Sequence, residues 1–228
     1  MKQDRFLLWD LPTRLFHWLL VLAMAAAVVT GQLGGSLIEW HGRLGLLIVG
    51  LLAFRIVWGL LGSTYARFAQ FAPTLGRVRA YLAGQWHGEG HNPLGALSVL
   101  GLLGLLVLQV ATGLVANDDI AFRGPLFDLV GNDLSNRLTG LHHLLSNLLI
   151  GLVLLHVAAI AFYGHVKKQK LLKPMLTGWK EGKGESANGG GWLAVIVALL
   201  IAAGAVYVAS GAWLPEPPPV PAAETPDW

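Results

Sequence analysis

Five long apolar stretches alternate with short polar connections along the chain, at about 15–35, 38–62, 94–116, 139–165 and 192–213. Each meets the requirement of roughly 20 residues for a bilayer-spanning helix. A backbone that crosses hydrocarbon finds no water, so helices are the expected form. The connections 63–93 and 117–138 are rich in Gly, Pro, Asn, Asp and charge, as loops or surface helices require. No repeat of fixed period appears. The third stretch contains no His, Lys, Arg, Asp or Glu, and its Gly95, Gly101, Gly104 and Gly113 suit close helix packing. The fifth, with Ala202, Ala203, Gly204, Ala205, Gly211 and Ala212, reads the same way. The pattern predicts an all-α integral membrane protein. Four of the predicted spans lie within residues 1–185 and a fifth within 186–214, and 215–228 is expected to be a Pro-rich tail, extended or disordered.

Composition narrows this further. The 228 residues are 54% hydrophobic and 13% charged, against about 25% charged in a soluble domain. The net charge of +3 arises from cations flanking the apolar stretches, so it points to membrane topology and the lipid bilayer rather than to nucleic acid. There are no cysteines. That removes disulfides, thiolate-held clusters, Cys-containing zinc sites and covalent haem attachment. Any metal centre must rest on His, Met or carboxylate.

The cations also set an orientation. Lys2, Arg5 and Arg14 precede the first span, Arg67, Arg77 and Arg79 follow the second, and Lys167, Lys168, Lys170, Lys173, Lys180 and Lys183 follow the fourth. All fall on one side when the N-terminus is cytoplasmic. The opposite side holds Arg43, Arg123 and Arg137 beside Asp118, Asp119, Asp128 and Asp133, and it receives the C-terminal tail. The first span could instead be a signal peptide, given its basic start and the string Ala23-Met24-Ala25-Ala26. Its apolar run continues to Val29, and cleavage would discard His17, so a retained span is the reading preferred.

Four histidines then fall at paired depths. His142 and His156 are fourteen positions apart. On a helix that separation returns to within about 40° of the same face and advances about 21 Å along the axis. With the topology above, His17 shares the inner level with His156, and His41 the outer level with His142. Neutral imidazole is a common metal ligand, and two facing imidazoles at one depth can clamp a haem iron. Each histidine alone could equally be a packing residue or part of a proton relay; four at matched depths are harder to explain so. His143 points about 140° away from His156 and is expected to face the loop, and His165 to be interfacial. His87 and His91, in WHGEGHN, are expected to be solvated, because Gly88 and Gly90 argue against a helix there. Arg55, fourteen positions after His41, falls at the inner level. It either holds an anionic haem propionate or snorkels to the headgroups. Arg43 is a candidate at the outer level.

The stretches WDLPTRLFHW (9–18), RIVWGLLGSTYARFAQF (55–71), TGLVANDDIAFRGPL (112–126), HHLLSNLLIGLVLLH (142–156) and KPMLTGWK (173–180) together resemble the bacterial cytochrome b-561 family. That family includes the cytochrome b subunits of nickel–iron hydrogenases and formate dehydrogenase. The likeness covers about residues 5 to 182 and leaves the fifth span and tail outside. It implies a four-helix bundle binding two non-covalent b haems, each with two His ligands. Carried over, His17 and His156 match the ligands of the cytoplasmic-side haem, and His41 and His142 those of the outer haem.

The function expected is a di-haem carrier in the bacterial inner membrane. It would move electrons between the quinone pool and a redox partner: a periplasmic c-type cytochrome, a hydrogenase or another dehydrogenase. Two alternatives stand beside it. A stand-alone quinone oxidoreductase, such as a superoxide:quinone oxidoreductase, needs a basic funnel on the outer face, where this chain carries Asp. A haem-free transporter or assembly subunit would use the histidines as a proton relay.

Overall fold

The computed structural model describes residues 4–120 and 122–215. A three-residue strand, β1 (Arg5–Leu7), leads into the first long helix, α1 (Leu11–Leu33). Asp10 caps that helix, its Oδ1 accepting from the Thr13 amide at 2.7 Å. Pro12 occupies the first turn, where a missing N–H costs nothing. The helix stops at Gly34, at a φ of +62° that a side chain would disfavour. The second span is α2 (Ile38–Leu61), followed by the short helices α3 (Phe68–Phe71) and α4 (Leu75–Leu82). Asn92 and Pro93 repeat the Asp10–Pro12 device at the start of α5 (Pro93–Gly113). Then come α6 (Gly131–His165), α7 (Leu172–Thr177), β2 (Trp179–Glu181) and α8 (Gly191–Ala209).

Five of the described helices, α1, α2, α5, α6 and α8, are long and apolar enough to cross a membrane. Leu22, Leu33, Leu60, Leu144, Leu155 and Leu200 are exposed on their outsides, a surface suited to lipid rather than water. The multi-pass, helical architecture read from the hydrophobic pattern therefore holds.

The structure moves several boundaries and adds helix α7 and a small sheet. Helix α6 begins at 131, well before the apolar run at 139, because its polar first turns dock on protein. Ser135 is wholly buried, donates to the Val115 carbonyl at 2.7 Å and accepts from Asn117 Nδ2 at 2.6 Å. Helix α1 starts earlier than 15 through its cap. Helix α8 ends before 213, with Gly211 at φ +70° in the turn beyond. The added sheet is two-stranded and antiparallel, and in it Arg5 of β1 lies opposite Glu181 of β2. Phe6, Leu8 and Trp9 pack beneath it against Tyr65 and Met175. Of the tail expected over 215–228, residues 216–228 lie outside the described residues, as does Lys2.

Helix α2 is the hub, packing on α1, α5 and α8, while α6 packs on α5. The central core joins Ala23 and Ala27 of α1, Ile48 and Leu52 of α2, Leu106 of α5 and Leu149 of α6. This apolar layer lies between the two histidine levels. Lipid is as apolar as leucine, so helices in a bilayer associate through close packing. The α2–α8 contact shows it: Gly50 faces Val206 and the Ala202 carbonyl, and Ala198, Ala202 and Ala209 are buried.

Candidate functional site

At one end of the bundle His41 of α2 and His142 of α6 face each other, with ring centroids 6.0 Å apart and planes at 88°. Two imidazoles sharing a metal at about 2 Å each would place their centroids roughly 6 Å apart. Both rings are oriented by backbone. His41 Nδ1 lies 2.8 Å from the Ala27 carbonyl, and His142 Nδ1 lies 2.9 Å from that of Gln109. A carbonyl oxygen only accepts, so Nδ1 carries the proton and Nε2 presents the lone pair that a metal takes. Two glycines make room for the rings. A Cβ on Gly31 would sit 2.8 Å from His41 Nδ1, and one on Gly113 2.8 Å from His142 Cε1. The Gln109 amide nitrogen lies 3.0 Å from His142 Nε2, while its Oε1 is buried without a partner. The amide therefore stands at the nitrogen a metal would take and would have to turn aside for one, at no cost to an Oε1 bond.

The other end is built differently. His17 of α1 and His156 of α6 lie close enough for their charges to interact, and Ser98 Oγ lies 3.4 Å from His156 Nδ1. His17 Nδ1 is sealed from solvent with no partner. Arg55 is only 3% exposed, its guanidinium over the Phe68 ring at 4.6 Å and near Phe16 at 6.0 Å. It does not snorkel, and its Nη1 is buried and unpaired. Arg14 Nε and Arg67 Nε are buried and unpaired as well.

His91 corrects the sequence reading. The sequence predicts a solvated imidazole, yet the ring sits between Trp9 at 4.6 Å and Phe71 at 4.7 Å, with Nδ1 enclosed and unpaired. Burial first, and then the charges of Arg55, His156 and His17, push its imidazole down to about 3. Its coil is not helical, as Gly88 and Gly90 imply. The residue is half-buried, enclosed by rings that arrive from α3 and from before α1. His87 is exposed.

The remaining candidates separate cleanly. Arg43 is exposed, 3.7 Å from Glu39 and 4.9 Å from the Trp40 ring. His143 is exposed, and His165 is exposed with Nδ1 3.0 Å from the Ala161 carbonyl. Ser98, Gln109, Gly31 and Gly113 also belong to these sites, which the histidine spacing alone does not reveal. One signal exists: Gly31 is fourteen positions after His17, hence on nearly the same face at the other level. Among the described residues no three His, Cys, Asp or Glu side chains converge; the imidazoles come in twos.

The profile of the prokaryotic cytochrome b561 family matches residues 8–178. The chain belongs to that family. Among its relatives is the probable Ni/Fe-hydrogenase B-type cytochrome subunit of Azotobacter vinelandii, 26% identical over 221 residues that cover 78% of this chain and 90% of the relative. The counterpart from Azotobacter chroococcum mcd 1 is 25% identical over the same extent. The probable Ni/Fe-hydrogenase 1 B-type cytochrome subunit of Escherichia coli (strain K12) is 24% identical over 136 residues, covering 46% of this chain and 57% of that protein. The chain thus spans little more than half the length of the E. coli relative. No solved structure matches it. Proteins of this family are b-type cytochromes, whose cofactor is haem b. The donor set fits that group, with paired imidazoles whose lone pairs are free of backbone and unpaired cationic nitrogens beside one pair. The family match ends at 178, before α8.

Proposed function

We propose that the protein binds two b haems, one between His41 and His142 and one between His17 and His156. On this reading it conducts electrons across the inner membrane between the quinone pool and a redox partner. The observation that carries it is the facing His41 and His142 rings, 6.0 Å apart, each with Nδ1 committed to a carbonyl. Haem b supplies one-electron redox chemistry, and two histidine ligands leave no open position for oxygen chemistry, so outer-sphere transfer is its natural task. Arg55, buried and unpaired, supports an anionic group at the second site.

The N-terminus is cytoplasmic in this reading, which places twelve cations inside and makes the His17–His156 level the inner one. The hydrogenase in the relatives' names makes a hydrogenase-type dehydrogenase the first partner to test, with a periplasmic c-type cytochrome the other. A reduced-minus-oxidised visible spectrum with haem quantification tests the core of the proposal. Two haems per chain with b-type bands are expected, and fewer than two would overturn it. Reduction by a quinol in proteoliposomes tests the quinone link.

A further inference from the structure

The His17 end holds more donors than its own chain satisfies. Arg55 Nη1 and His91 Nδ1 are both sealed from solvent and both unpaired. A buried donor left unmade costs about 1–3 kcal/mol, and more when it is charged. Among the described residues no carboxylate pairs with either. Among the described residues the ion pairs join Arg43 to Glu39, Lys173 to Glu181 and Lys180 to Glu89. Asp10 is the carboxylate whose charge reaches Arg55, but its oxygens already accept from the Thr13 amide and from Trp58 Nε1.

Both donors are also fixed in direction. Arg55 rests over Phe68, and the His91 ring is clamped between Trp9 and Phe71. Arg55, His156 and His17 are the charged or titratable groups whose charges reach His91. A neutral imidazole can donate beside Arg55 without like-charge repulsion, and its surroundings keep it neutral.

We infer that His91 and Arg55 together bind a propionate carboxylate of the haem between His17 and His156, His91 donating from Nδ1 and Arg55 from Nη1. The inference rests on the two-haem reading. Charge-assisted bonds of this kind are the strong ones. They offset the carboxylate's negative charge near the iron and so favour the reduced state. A lipid phosphate presents the same acceptor chemistry, and the test distinguishes the two sources.

Potentiometric titration of the full-length holoprotein in nanodiscs provides that test. His91→Phe keeps a ring between Trp9 and Phe71 and removes the donor. Both haems should remain, and the reduction equilibrium constant of the haem at the His17 end should fall about tenfold, about 59 mV for a one-electron couple. The propionate-bending band of that haem in the resonance Raman spectrum should move. His91→Asn, whose amide nitrogen can stand in for Nδ1, should keep both the potential and the band. Unchanged potential and band in His91→Phe with both haems bound would overturn the inference. So would native mass spectrometry showing that His91→Phe loses a tightly held anionic phospholipid while the band stays put. Fewer than two haems in the unmodified protein would instead overturn the reading on which the inference stands.

Discussion

The two histidine pairs occupy the same bundle and share α6, yet they are held by different means. At the His41 end the rings are oriented by main-chain carbonyls of Ala27 and Gln109 and admitted by Gly31 and Gly113. At the His17 end carbonyl contacts are replaced by charged and polar side chains, several with nitrogens that find no partner. The first arrangement specifies ring geometry and little charge. The second specifies charge and leaves bonds to be completed. On the two-haem proposal, the pairs would therefore ask different things of their cofactors: ring geometry at one end and an anionic group at the other.

The largest test of this contrast removes one rung. His156→Ala should lose the whole haem at the His17 end and keep the other, while His143→Ala keeps both; haem quantification reads each outcome, and loss of a haem from His143→Ala would reverse the face assignment. Next, Gly31→Val should injure only the His41 end, since its Cβ would meet the His41 ring at 2.8 Å. Overpacking of about 1–3 kcal/mol corresponds to a roughly tenfold weaker haem affinity there, measured by haem titration of the apoprotein. Gly104→Ala, with open space around it, should change neither end.

A smaller effect separates both sites from α8. Gly50→Leu would press on Val206. It should lower the thermal midpoint by a few degrees, for about 1–3 kcal/mol of overpacking, with both haems retained. The smallest concerns alkaline pH. Tyr81 of α4 is hydrogen-bonded to Tyr163, seven positions after His156 and so on the same face of α6. Burial and then that bond raise its phenol to about 12 from an ordinary 10.0. The folded state keeps this proton longer than the unfolded chain. The contribution is therefore complete below pH 10 and lost as pH rises towards about 12. The His17-end haem should be released before the other in that window, and Tyr81→Phe should abolish the difference; simultaneous release in the unmodified protein would contradict it.

Much of this architecture is legible in the sequence because hydrophobic length and helical rotation are local arithmetic. The five spans follow from apolar runs, and the opposite fates of His142 and His143 follow from about 100° per residue. Arg55 stays between two readings at that level, since depth along a helix does not say which way a long side chain turns. In the structure it turns inward, over Phe68 and near Phe16. His91 and the β1–β2 pairing are illegible for a related reason. A coil residue is buried by whatever folds over it, and a three-residue strand has too little pattern to announce a partner at the far end of the four-span unit. The early start of α6 is hidden because Gly131 to Leu138 read as polar loop; Ser135 and Asn117 satisfy each other only in three dimensions.

The β1–β2 clasp has a consequence for how the molecule is made. Synthesis delivers β1 first and β2 only after the fourth span has been threaded. The clasp then draws the start of α1 to α7, where Arg14 Nη1 donates to the Leu176 carbonyl at 2.7 Å. The clasp therefore ties the segment just ahead of His17 to the segment that follows the fourth span, so the two ends of the four-span unit close on each other only once residue 181 has been made.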